Sequence, residues 1–136
     1  MSFDDEKDNE ILYLTYILLR DSSGVLGYYT EAIEEYKKAI EINPDCADAY
    51  ANLAVIYGVS GRNWAAIETC KNALRKQPHH LMALMTLGAA YANLGLYNEA
   101  IETQKLAISI YPDHPMAHYG LGTAYLRSGD RSSALD

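Results

Sequence analysis

Two cysteines in 136 residues, Cys46 and Cys70, are too few for a framework of disulfide staples. The chain reads as cytosolic, with two free thiols. Basic side chains are also scarce: 11 Lys and Arg stand against 18 Asp and Glu, a formal net charge of −7 at pH 7. That balance repels a phosphate backbone, and no cluster of Lys and Arg forms a basic stripe, so nucleic acid is not expected as a partner. Long apolar runs are missing as well. The longest near the start, Ile11 to Leu19, is interrupted by Thr15 and falls short of the roughly 20 residues that cross a bilayer. It follows an acidic leader, Met1 to Glu10, where a secretory signal would be basic. Neither membrane insertion nor export is expected, and the length suits one continuous core.

What the chain does have is a period. Pro44, Pro78 and Pro112 fall 34 residues apart, as do Gly27, Gly61, Gly95 and Gly129, and Ala32, Ala66, Ala100 and Ala134. Leu19, Leu53, Leu87 and Leu121 keep the same spacing, with Tyr57, Tyr91, Tyr125 and Ala39, Ala73, Ala107. Each unit resolves into two amphipathic segments. Tyr50, Leu53, Ala54 and Tyr57 recur at helical spacing, and so do Ala66, Ile67, Cys70, Ala73 and Leu74. Gly61 lies between the two, where a residue free to take positive φ ends a helix; Pro78 follows the second, where its ring and missing N–H stop further helix. Small residues at Ala54 and Gly88 let a facing helix approach closely, and the tyrosines three positions later fill the space beyond.

Tyr50, Leu53, Ala54, Tyr57, Gly61, Ala66, Ala73 and Pro78 resemble the tetratricopeptide repeat signature position by position. So do Leu87, Gly88, Tyr91, Gly95, Ala100, Ala107 and Pro112 in the next unit. An earlier unit matches through Gly27, Ala32, Tyr36, Ala39 and Pro44, and departs in its first helix, where Arg20 and Ser23 replace a small residue and an aromatic. Asp21 to Gly24 there read as an early helix stop. The last unit keeps Leu121, Gly122, Tyr125, Gly129 and Ala134. The resemblance implies an all-α fold, a right-handed superhelical stack of antiparallel helical hairpins of about three and a half repeats. After a leader at 1–12 the array would run from 13 to 136, in units 13–46, 47–80, 81–114 and a truncated 115–136. Helices are expected near 8–21, 29–42, 47–59, 63–76, 81–94, 97–110 and 115–128, with a stub from 131.

No catalytic constellation emerges. Gly120 to Tyr125 comes nearest to a phosphate-binding loop, yet it lacks a third glycine and follows no strand. Among the histidines, His80 and His114 are equivalent by period and so stand about 10 Å apart or more, too far to share a metal ion. Only His114 and His118 could converge, so the four histidines read as solvated turn residues. No metal and no cofactor are expected. Cys70 suits a buried small hydrophobe, and the serines at 22, 23, 128, 132 and 133 fall in turns and caps. Trp64 reads as a partly exposed packing residue. The chain is not expected to be an enzyme.

In the family the resemblance points to, first helices line a concave groove. Carried over residue by residue, the groove would show Asp48, Ala51, Asn52, Val55, Gly58 and Val59. The next unit adds Met82, Met85, Thr86, Ala89, Ala92 and Asn93, and the last adds Met116, Tyr119, Gly120, Thr123, Leu126 and Arg127. A chaperone-tail clamp in such a groove needs Lys or Arg to replace a carboxylate's hydration. Leu14, Ile17, Asp21, Met82 and Thr86 do not supply it; only Asn52 matches. The expected partner is therefore a protein whose apolar peptide or amphipathic helix lies on Val55, Val59, Met82, Met85 and Met116, with Tyr119 as a flat face. Asn52, Asn93 and Arg127 would orient it. The methionines have a second reading as packing residues, and the chain's own amino-terminal helix is a second occupant. Glu31, Glu34, Glu35, Glu99 and Glu102 read as a solvated outer face.

The ends carry an alternative. A fourth repeat truncated within its second helix would leave an apolar face uncovered, which self-association into a scaffold or homo-oligomer would cover. A longer chain, of which this is the interaction arm, would cover it equally well.

Overall fold

A computed structural model describes residues 25–129, and among them all regular structure is helical. Six helices follow in order: α1 (Val25–Ile42), α2 (Ala47–Val59), α3 (Asn63–Lys76), α4 (Leu81–Asn93), α5 (Tyr97–Ile110) and α6 (Pro115–Ser128). The expected helix near 8–21 and the stub from 131 lie outside the described residues. Five expected helices stand within a residue of their anticipated bounds.

The sixth, α1, begins at Val25 and not near 29, so Gly27 lies inside it. Gly27 therefore does not take the role its period suggests. Gly61, Gly95 and Gly129 have φ of 83°, 79° and 85°, while Gly27 does not enter the left-handed region.

Both complete inner turns close in the same way. Arg62 N–H donates to Tyr57 O at 2.8 Å and Gly61 N–H to Gly58 O at 3.1 Å; Leu96 N–H donates to Tyr91 O at 2.9 Å and Gly95 N–H to Ala92 O at 3.0 Å. This pair of reversed bonds satisfies carbonyls that the helix end leaves open, and it needs a left-handed residue at the crossing point. Between hairpins a second turn recurs: Cys46, His80 and His114 N–H donate to Asn43, Gln77 and Tyr111 O. Pro44, Pro78 and Pro112 each stand directly after the acceptor, where their fixed φ suits the first corner of a tight turn.

Packing follows from the pattern. Tyr29, Ala32, Ile33 and Tyr36 of α1 cluster with Leu53 and Ile56 of α2. Ala54, Ala66, Ile67, Cys70, Leu87 and Ala90 join α2, α3 and α4. Alanine seams complete the stack: Ala51 with Ala73 and Ala83, Ala107 with Ala117 and Leu84, Ala92 with Ala100 and Ala124. Each helix packs on its neighbours in sequence, and α2 also touches α4, which touches α6. The outer helices α3 and α5 make no comparable contact with one another. First helices thus form the inner layer of a solenoid. No described helix is long and apolar enough to cross a membrane.

Candidate functional site

The inner layer carries two adjoining recesses. One, of about 410 Å³, lies between α2 and α4: Val55, Gly58 and Val59 face Met85, Thr86, Ala89, Ala90 and Asn93, with Asn63 of α3 at one side. The other, of about 300 Å³, lies between α4 and α6: Met85, Gly88, Ala89, Ala92 and Asn93 face Met116, Tyr119, Gly120, Thr123 and Arg127. Gln104 of α5 completes its lining. Met85, Ala89 and Asn93 belong to both, so the recesses form one interrupted trough.

Of the residues expected at the groove, Val55, Gly58, Val59, Met85, Thr86, Ala89, Ala92, Asn93, Met116, Tyr119, Gly120, Thr123 and Arg127 line these recesses. Asn52 and Met82 line neither recess; each sits one helical turn before a residue that does. Ala51 is a correction. It is fully buried in an alanine seam, because its methyl faces α3 and α4 and not the open side. Leu126 also stands outside both recesses, exposed.

A polar chain crosses the trough. Arg127 Nη1 donates to Asn93 Oδ1 at 2.9 Å, and Asn93 Nδ2 donates to Asn63 Oδ1 at 3.3 Å. Asn93 and Arg127 were legible as groove residues, but Asn63 and Gln104 were not. Both come from second helices, which the inner-helix rule omits. The available signal was the period: Gln104 is equivalent to Tyr36 and Cys70, where an amide is out of place.

Histidines and cysteines fill other roles. His80 is not a solvated turn residue as its position suggested; it is buried and opens α4. Its Nδ1 accepts from Ala83 N–H at 3.3 Å, so Nε2 carries the proton and donates to Asp48 Oδ1 at 2.6 Å. His118 Nε2 lies 2.7 Å from Pro112 O, as a local turn contact. Among the described residues no three His, Cys, Asp or Glu side chains converge on one point. Both cysteines are free. Burial pushes the Cys70 thiol up to about 12, the opposite of an activated nucleophile. Trp64, expected to pack in part, is 63% exposed at the start of α3.

Compared with known families, residues 26–61 match one described as TPR repeat, and residues 83–114 match one described as Tetratricopeptide repeat. Comparison with curated proteins finds no match. Several solved structures are similar. The crystal structure of MamA protein superposes over 94% of this chain and 67% of that one, at 27% identity and a TM-score of 0.73. TTC0263, a thermophilic TPR protein of Thermus thermophilus, covers 93% of this chain with 69% of its own, at 25% identity and a TM-score of 0.74. The second TPR domain of human RPAP3, solved in complex with the HSP70 peptide SGPTIEEVD, shares the fold. It has 23% identity over 84% of this chain and 91% of its own, with a TM-score of 0.69.

Proposed function

The chain belongs to the tetratricopeptide repeat family, and from that premise we propose that it is a non-catalytic protein-interaction module whose concave groove holds a largely apolar peptide or amphipathic helix. The observation that carries the reading is the continuity of the two recesses through Met85, Ala89 and Asn93. Apolar side chains dominate their walls: Val55, Val59, Met85 and Met116, with Tyr119 standing 71% exposed beside them. An exposed tyrosine next to flexible thioethers gives an amphipathic helix both a flat contact and adaptable packing. Among the described residues, the single cation lining the trough, Arg127, already donates to Asn93.

Charge argues for the same class of ligand. The peptide bound by the RPAP3 domain ends in EEVD. An acidic tail of that kind loses hydration unless cations replace it, and a chain of net charge −7 with Arg127 as the trough's cation is a poor host for it. The unit boundaries we adopt, 13–46, 47–80, 81–114 and 115–136, are supported by the turn that recurs at Pro44, Pro78 and Pro112. Free Cys46 and Cys70 support the cytosol as the place of action.

Selection of the full chain against a random displayed peptide library, followed by calorimetric titration of the winners, tests the groove. Winners should carry apolar residues at helical spacing, and Met85→Glu or Tyr119→Ala should weaken them at least tenfold. Leu106→Ser, on the outer helix α5, should leave them unchanged. Winners rich in Asp and Glu, or winners indifferent to Met85→Glu, would overturn the reading.

A further inference from the structure

One position of the repeat changes chemistry along the stack. Tyr36, Cys70 and Gln104 are equivalent by period, and all are buried, at 0%, 0% and 4% exposure. The first two fill apolar surroundings. Gln104 instead brings a carboxamide into the lining of the smaller recess, and its Oε1 is buried there with no protein hydrogen-bond partner among the described residues. A buried amide is normally satisfied, so one that the protein leaves unmatched at a cavity marks where a polar group from outside the chain can bond.

Among these three units, only this one sets glycine on both inner helices that face the position. A Cβ at Gly120 would stand 2.7 Å from Gln104 Cδ and Nε2, and one at Gly88 would collide with the amide outright. Asn52 and Thr86 occupy the positions equivalent to Gly120, and both carry side chains. Two glycines on facing helices therefore leave the amide room, and Met85, Met116 and Tyr119 wall the recess of about 300 Å³ beside it.

We propose that Gln104 is the floor of an amide-reading subsite that takes an Asn or Gln side chain of the bound partner. The inference rests on the groove reading above. Two carboxamides pair head to tail through two coplanar hydrogen bonds, one donated each way, and this holds whichever way the Gln104 amide is turned. A carboxylate offers no proton to Oε1. An ammonium finds no carboxylate among the described residues of the recess to balance it. A neutral amide satisfies both ends of Gln104 while its methylenes pack on Met85 and Met116.

Fluorescence anisotropy of the full chain with apolar decapeptides that differ only at a central Gln, Asn, Ser, Leu or Glu tests the subsite. Gln- or Asn-centred peptides should bind about tenfold tighter than the Leu- and Glu-centred ones. Gln104→Met, close in volume, should abolish that preference and melt no lower than the native chain, and Gly120→Ala should abolish it by crowding the amide. In nitrogen-15 correlation spectra the Gln104 NH2 signals should shift with amide-centred peptides only. Equal binding of the Leu-centred peptide, stronger binding of the Ser-centred one, or a preference that survives in Gln104→Met overturns the subsite and leaves the groove intact. Failure of every peptide to bind overturns the groove and the subsite together.

Discussion

Asp48 of α2 and His80 of α4 meet at 2.6 Å, joining two inner helices through an imidazole whose other nitrogen caps the second of them. His80→Ala removes the cap and the crosslink together. It should lower stability by about 1–2 kcal/mol in urea unfolding. Asp48→Asn should cost less, because the carboxylate is mostly solvated and an amide oxygen still accepts. A His80→Ala chain as stable as the native one would show that the contact is not formed in solution.

Gly27 and Gly95 share a place in the period and should respond to alanine with opposite signs. Gly27 lies within α1 with open space where a Cβ would stand, so Gly27→Ala should stabilise by about 0.5–1 kcal/mol. Gly95 sits at φ 79° with the same open space around it, so Gly95→Ala should destabilise by about 1–2 kcal/mol through backbone strain alone. Paired thermal melts would read both changes, and a shared sign would contradict the turn geometry.

The thiol of Cys70 stays protonated near neutrality, with its folded value raised by burial from 9.0 to about 12. At pH 8 a disulfide reagent should label one thiol per native chain, the half-buried Cys46, and two in denaturant. The linkage has a definite sign: stability tied to this thiol is complete below pH 9 and falls as pH rises toward 12, because only the unfolded chain ionises freely. Cys70→Ala should flatten that alkaline decline in denaturant titrations run at successive pH values.

Asn93 accepts from Arg127 and donates to Asn63, yet all three side chains meet water. Asn93→Ala should therefore change stability by less than about 1 kcal/mol. Its larger effect should fall on partner affinity, since it frees Arg127 and widens the trough. A calorimetric comparison of both quantities would separate the roles.

The hairpins were legible because glycine, proline and alanine each act locally: a left-handed turn, a helix stop and a close approach are all written in single residues. Thirteen positions that line the trough were legible for a related reason, since one helix face follows from spacing once the inner helices are known. The beginning of α1 was not, because Gly27 looks identical to its equivalents and only the surrounding chain decides whether it turns. His80 was hidden by its neighbour His79, which does face water; burial at a turn depends on what packs above it. Ala51 was misassigned because alanine suits either an open wall or a seam. Gln104 needed its two glycine neighbours, which belong to other helices and lie 16 residues away in the sequence on either side.

The alanine seams have a mechanical meaning. Where alanine methyl groups meet between adjacent helices, close approach of the axes is favoured within the usual range of about 8–10 Å, and slack for one hairpin to rock on the next is reduced. Any angle gained or lost at the seam of Ala51, Ala73 and Ala83 is passed on to every hairpin beyond it, as rotation at a joint is passed along a lever. Close seams of this kind favour a groove shaped before a partner arrives, which lowers the ordering that binding must supply.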